Sequence, residues 1–329
     1  VMVSTPGFDP NLFSNRLSIR DWQRMNTHPR TPLLNRAITG LYAPGSTFKM
    51  VVLAAALEAG VISPSTQYEC SGAFEFGNRK FHCWNERGHG FINAEQSLER
   101  SCDIYYYQIA LKTGINRIHD MARRLGLGDV SALGLVSEKQ GIIPNRDWKL
   151  AQRGVVWTPG ETVVAGIGQG FVLTTPLQLA LMTARIANGA SAITPSLVAQ
   201  NDPQITSAFA PLDVPADIIR FLHKGMRKVM AGGLGTARKY DIAQGIAGKT
   251  GTVQVKRITK AQREKGIVDN IDRPWKERDH ALFVAFAPYK NPRYAISVVV
   301  EHGGSGSSAA APIARDILDF MLATDGVSA

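Results

Sequence analysis

The chain has 329 residues, 44% of them hydrophobic and 19% charged, enough for one large domain or two smaller ones with a real core. No apolar run reaches the roughly 18 residues that mark a membrane-spanning helix, and no signal peptide is visible. The net charge of +10 allows an anionic partner, but the densest basic stretch, residues 255–266 (VKRITKAQREKG), lacks the interleaved aromatics of a base-stacking platform and argues against nucleic acid.

The first residues, VMVSTPGFDPN, read as the end of a strand running into a turn, as in a fragment whose anchor or export signal lies upstream. Residues 46–59 (STFKMVVLAAALEA) predict a helix that Ser46 caps and Gly60 ends. It is apolar nearly all round and is therefore expected in the core. Residues 61–96 are rich in Gly, Cys, His and aromatics without periodicity, an irregular excursion that needs some other organiser. A short helix follows at 104–112 (IYYYQIALK), closed by Gly114, and residues 120–200 are mostly helical with turns. They include 174–189 (TTPLQLALMTARIANG), where Pro176 suits a first helical turn. After a helix near 215–231, three strand-like runs come late, at 247–255, 280–288 and 293–303, the last two joined by the turn YKNP. A final helix covers about 311–322. Strands clustered late beside many helices, with no βαβ alternation, predict an α+β fold: an antiparallel sheet flanked by helices, with an all-helical subdomain inserted.

Three short motifs carry the chemistry. In Ser46-Thr47-Phe48-Lys49, positions three apart share a helix face, so Lys49 reaches the Ser46 hydroxyl. A serine needs a base to become a nucleophile, and a lysine desolvated by Phe48, Met50, Val51 and Val52 can supply one. The plainer alternative is a capping serine beside a snorkelling lysine. Ser101-Cys102-Asp103 precedes the aromatic helix; Ser101 suits a proton relay and Asp103 a partner for a lysine or substrate amide, or either residue simply caps the helix. Lys-Thr-Gly occurs twice. The copy Lys112-Thr113-Gly114 reads as a helix C-terminus. The copy Lys249-Thr250-Gly251, followed by Thr252, opens a strand whose edge would receive a peptide as an added strand. There Lys249, Thr250 and Thr252 suit a carboxylate, Gly251 permits close approach, and the N–H groups of Thr252 and Ser46 suit an oxyanion hole. The order of the three motifs is far more specific than any one of them, and it is the set that marks penicillin-binding proteins and class A β-lactamases.

The odd count of three cysteines cannot be a complete set of internal disulfides. Cys70, Cys83 and Cys102, with His82 or His89, would make a closed tetrahedral zinc site. A Cys70–Cys83 disulfide with Cys102 free, or three inert buried thiols, are the other readings.

With these motifs the chain resembles the transpeptidase domain of class B penicillin-binding proteins over essentially all of residues 1–329. Supporting segments are VSTPGFDPN at 3–11, NRAITGLYAPGSTFK at 35–49, GIGQGFVLTTPLQLA at 166–180, and GKTGTVQV followed by HALFVAFAP. Asp103, where many relatives carry Asn, is similar to the elongation branch of the class; the cell-division branch is the nearest alternative. The resemblance implies a D,D-transpeptidase that cross-links peptidoglycan stem peptides through a Ser46 acyl-enzyme and is acylated by β-lactam antibiotics. It assigns Lys49 as base, Ser101 as relay, and Lys249, Thr250 and Thr252 as carboxylate holders. It also implies a structural Zn²⁺ near the active site, with Cys83, His89 and Cys102 matching the last three ligand positions and Cys70 replacing a carboxylate at the first. No organic cofactor is implied. The expected location is the periplasmic face of the bacterial inner membrane, single-pass anchored, with the anchor and pedestal domain outside this chain. The expected partners are a glycosyltransferase and scaffold proteins of the elongation complex. Two rival classes share the motifs: a serine β-lactamase, for which Glu161 is the candidate second base, and a non-catalytic β-lactam sensor, a shorter domain without the GQG and TPLQLA segment.

Overall fold

The computed structural model describes residues 1–325 apart from 15, 132, 190, 199–208, 257, 260, 261 and 264. In chain order its helices are α1 (Ile19–Asn26), α2 (Arg36–Thr39), α3 (Lys49–Glu58), α4 (Ala94–Glu99), α5 (Asp103–Thr113), α6 (Ile115–Arg124), α7 (Arg146–Arg153), α8 (Pro159–Ala165), α9 (Pro176–Asn188), α10 (Ala216–Ala231) and α11 (Ala311–Asp325). The strands are β1 (Tyr68–Cys70), β2 (Ala73–Phe76), β3 (Arg79–His82), β4 (Gly90–Ile92), β5 (Ala247–Val253), β6 (His280–Ala287) and β7 (Tyr294–Val300).

The three late apolar runs pair into one antiparallel sheet in the order β5-β6-β7. Ala281 to Ala287 of β6 are wholly buried, because helices cover both faces of the sheet. A strand in that position reads as a continuous apolar run rather than an alternation. Leu282, Val284 and Phe286 join the larger core with α3, α5 and α9. Ala281, Phe283, Ala285 and Ala287 join a smaller core with Val229 and Met230 of α10 and Ala311, Ala314 and Leu318 of α11. Strand β5 lies at the sheet edge, as a strand that is to accept a peptide must.

Helix α3 is buried from Lys49 through Ala56, as its unbroken apolar surface predicts. Helix α9 begins with the reciprocal Thr175 and Gln178 capping box and Pro176 in its first turn, and ends at Gly189 in the left-handed region. The observed architecture is the α+β arrangement expected from the sequence.

Three local expectations change. Ser46 does not cap α3: residues Gly45–Phe48 form a 3₁₀ turn, and the helix starts at Lys49 with no side-chain cap. A 3₁₀ turn at a helix N-terminus is a common way for a chain to enter a helix. The opening residues 1–8 form no strand; Ser4 Oγ instead donates to Leu34 O and accepts from Arg36 N, which ties the segment to a loop rather than to a sheet. Residues 61–96 are not wholly irregular, since β1 pairs with β4 and β2 with β3 in two small antiparallel sheets. Strands of three or four residues are too short to show a period in sequence.

Candidate active site

The turn that carries Ser46 is held from two sides. Gly45 N–H donates to Gly168 O at 2.9 Å, and a Cβ on Gly168 would lie 2.3 Å from Gly45 O. Both glycines have positive φ, 54° and 67°, which any other residue would adopt only under strain. The GIGQG segment therefore serves as the floor under Ser46. On the other side Gly45 faces Thr252 O and Val253 of β5, at 3.2 and 2.8 Å from its notional Cβ. Gly251 has the same use: a Cβ there would press on Thr47 and Pro44 at 3.2–3.3 Å, so its small size lets the Ser46 turn, rather than substrate, approach β5. Because the Thr252 carbonyl faces this turn, and a strand residue's N–H and C=O share an edge, the Thr252 N–H is directed to the same free edge beside Ser46.

Side chains from three distant segments meet at Ser101. Lys49 Nζ donates to Ser101 O at 2.8 Å and to Ser101 Oγ at 3.2 Å, and pairs with Asp103 Oδ1 at 2.7 Å. Lys249 Nζ lies 2.9 Å from the same Ser101 Oγ and 3.1 Å from Thr250 O. Both lysines are fully buried, and Lys49 lies 5.2 Å from the Tyr106 ring centroid. Burial, with the Lys49 charge adding to it, holds Lys249 well below the usual lysine range, against the pull of Asp103. Burial likewise pushes the Asp103 carboxyl up despite Lys49. Ser101 itself sits at φ 53°, a left-handed conformation rare for serine that turns its hydroxyl toward both lysines. Neither Ser101 nor Asp103 caps α5; the cap position is Cys102, without a side-chain bond.

The predicted residues thus converge, with a different wiring. Lys49 bonds Ser101 and Asp103, and Ser46 Oγ is not among its partners. Lys249 is directed to Ser101, and the polar side chains on the opposite face of β5 are those of Thr250, which is buried, and Thr252, which is exposed. The Thr250 hydroxyl lies 2.8 Å from Thr236 Oγ1, and Gly306 N–H donates to Thr252 Oγ1 at 3.3 Å. Neither Thr236 nor Gly306 carries a motif that sequence reading could have found. The other Lys-Thr-Gly is structural: it ends α5 at Gly114, with Lys112 4.9 Å from the Tyr68 ring centroid. Glu161 belongs to the α8 capping box with Thr158 and pairs with Lys149 at 2.6 Å, so it serves helix and ion pair rather than a water at Ser46.

Behind this junction, the ligand atoms of Cys70, Cys83, His89 and Cys102 all lie within 4.8 Å of one another, and all four residues are buried. His89 Nδ1 is 3.4 Å from Cys70 Sγ and 3.6 Å from Cys83 Sγ, while its Nε2 has no partner among the described residues. The three thiols are free, with no Cys70–Cys83 bond. Hydrogen bonding from Cys102 holds Cys70 and Cys83 down, to about 6 and about 3, and the same bonds push Cys102 up. Three thiols, a facing imidazole and this spacing form a donor set that fits a tetrahedral soft cation. His82 stays outside, its carbonyl accepting from Tyr107 OH at 3.0 Å. The cluster touches the active site through Trp84, whose N–H donates to Asp103 Oδ2 at 2.9 Å and whose indole donates to Arg100 O at 3.1 Å.

An antiparallel sheet with an inserted helical region, and a Ser-x-x-Lys turn opposed by a second serine and a sheet-edge lysine, define the active-serine class of penicillin-recognising proteins. The chain belongs to the penicillin binding protein transpeptidase domain family, which it matches over residues 1–319. Peptidoglycan D,D-transpeptidase MrdA of Acinetobacter baumannii is 35% identical over 336 residues, covering 98% of this chain and 48% of that protein. The chain thus spans about half the length of the curated relatives it matches. Among solved structures, Pseudomonas aeruginosa PBP2 in complex with WCK 5153 is 38% identical with a TM-score of 0.83, over 96% of this chain and 67% of that one. Helicobacter pylori PBP2 in complex with MreC is 31% identical with a TM-score of 0.87, over 98% of this chain and 57% of that one.

Proposed function

We propose that this chain is the transpeptidase domain of a peptidoglycan D,D-transpeptidase of cell-wall elongation. The observation that carries the reading is Ser101 Oγ between the amino groups of Lys49 and Lys249, with Lys49 following directly on the turn that holds Ser46 beside β5. Ser46 Oγ attacks the penultimate D-Ala carbonyl of a stem peptide, and its proton passes to Lys49, which is free to accept it when the proton of the Lys49–Asp103 pair rests on the carboxyl that burial pushes up. The N–H groups of Ser46 and Thr252 receive the oxyanion, a contribution of roughly 2.7–4 kcal/mol per donor. Ser101 gives its proton to the departing D-Ala amine and regains one from the lysine pair. The acyl group then passes to the amine of a neighbouring stem, which loses its proton as the peptide bond forms and Ser46 is restored. Thr250 and Thr252 hold the substrate carboxylate. A β-lactam acylates the same serine.

A fluorescent penicillin followed by a chase tests this. A lasting adduct, absent in Ser46→Ala, is the expected result; rapid release of hydrolysed drug would instead indicate a lactamase, a reading that the engagement of Glu161 with Lys149 counts against.

The same reading includes a structural Zn²⁺ on Cys70, Cys83, His89 and Cys102, supported by the four converging, buried ligand atoms. The ion would cross-link the 61–96 excursion to the start of α5. Elemental analysis of the purified protein should find about one equivalent, and less than about a tenth would rule it out. The reading extends to a periplasmic, membrane-anchored protein with a glycosyltransferase and a scaffold protein as partners, the latter supported by the MreC complex of the Helicobacter pylori relative. Among the described residues no helix is long and apolar enough to cross a membrane, so fractionation of cells carrying the full gene is the test of location.

A further inference from the structure

We propose that Thr236 is a positioning residue that sets the Thr250 hydroxyl as a donor to the substrate carboxylate. The proposal rests on the transpeptidase reading above.

Thr236 lies in the loop after α10 and belongs to none of the three motifs. Its hydroxyl is 2.8 Å from Thr250 Oγ1, and its carbonyl accepts from Ser307 Oγ at 2.7 Å, which pins the loop against the start of the C-terminal segment. Two positions along β5, Gly306 N–H donates to Thr252 Oγ1 at 3.3 Å. Thr250 and Thr252 pair with Phe283 and Ala281 of β6 and so lie on one face of the sheet. A hydroxyl has one proton and two lone pairs. A protein donor on the lone pairs leaves the proton free to point outward. Gly306 N–H imposes that polarity on Thr252 outright, since an amide can only donate. Thr236 imposes it on Thr250 once an anion is present, because the chain Thr236 to Thr250 to carboxylate is the arrangement in which the anion meets a proton. None of these partners is a carboxylate, so a substrate anion competes with no charged acceptor of the protein for the two protons, and only with the neutral Thr236 oxygen for that of Thr250. Lys249 is wholly buried with its amino group on Ser101, so Thr250 and Thr252 are the hydroxyls on their face of β5.

The test compares acylation rates at Ser46, read by intact-protein mass spectrometry, for benzylpenicillin and for its methyl ester, which has no carboxylate. The quantity read is the acid-to-ester rate ratio within one preparation, from which the folded fraction cancels. Thr236→Val should lower that ratio by about threefold to tenfold, the worth of one aligned hydrogen bond, whereas Thr236→Ser should keep it. If the valine chain is too unstable to react, Thr236→Ala is judged by the same limits. An unchanged ratio in an acylated valine or alanine variant overturns the role of Thr236 alone, as does a serine variant that fails as badly as valine. A wild-type chain that neither probe acylates overturns the transpeptidase reading and this proposal with it.

Discussion

Ser101 is the residue on which the site turns. Its hydroxyl is shared by two buried amines, and its backbone is held left-handed. Ser101→Ala should therefore slow Ser46 acylation by about 10²–10⁴-fold, the range of a lost proton-transfer group. Stopped-flow measurement with a fluorescent penicillin checks it, and a loss below tenfold would remove Ser101 from the proton path. At the far end of β7, Glu301 accepts from Arg36 Nε and from Tyr42 OH, both at 2.8 Å. Burial opposes its charge, but these bonds outweigh burial and hold the carboxyl below the usual range. A lowered folded pKa gives stability that is present above the unfolded value and lost as pH falls through the folded one. Thermal melts between about pH 5 and pH 3 should show this loss, and Glu301→Gln should flatten that acid limb. Equal slopes in both proteins would place the acid sensitivity elsewhere. Ser46, Lys49, Ser101 and Lys249 were legible in sequence because their residue types and order are rare together. Their partners were not, since the Lys249–Ser101 contact joins residues 148 positions apart.

At the scale of elements, local chemistry was readable where it acts over three or four residues. Pro176 and Gly189 bracket α9 within two residues of where the sequence placed it, and the Thr175–Gln178 box closes its start. Thr175→Ala should lower stability by about 1 kcal/mol, the usual worth of such a cap, measurable by urea denaturation. The GIGQG segment shows the other case. Its glycines are plain in the sequence, but their purpose appears only when Gly168 is found against Gly45. Gly168→Ala should cost about 1–3 kcal/mol from the positive φ alone, and also slow acylation by displacing the Ser46 turn. A destabilised variant with wild-type acylation would separate the floor from the chemistry. The 61–96 excursion was illegible for a further reason: its strands are short, and four of the five Cys and His residues between 70 and 102 find one another rather than a periodic apolar face.

For the whole molecule, the sheet divides two cores, and the reactive groups gather where β5 leaves the sheet open between them. The cysteine cluster extends this arrangement by linking the excursion, through Trp84, to Asp103. A chelator should lower the melting temperature of the metal-loaded protein. A site occupied at 100 times its Kd adds about 2.7 kcal/mol to stability, and added zinc should restore it. A melting temperature indifferent to chelator and zinc would leave the four residues as a plain buried cluster. The sequence by itself determined the α+β class, the buried helix after Lys49, the apolar centre of the sheet and the three motifs whose residues converge. Periodicity, capping and composition act within a few positions of the chain, and those signals survive in one dimension. The tertiary structure alone decided that Lys49 pairs with Asp103, that both lysines meet one hydroxyl, that Gly168 floors the Ser46 turn and that Thr236 stands behind Thr250. Those contacts depend on which loops a folded core brings within hydrogen-bond distance, a fact no local pattern encodes.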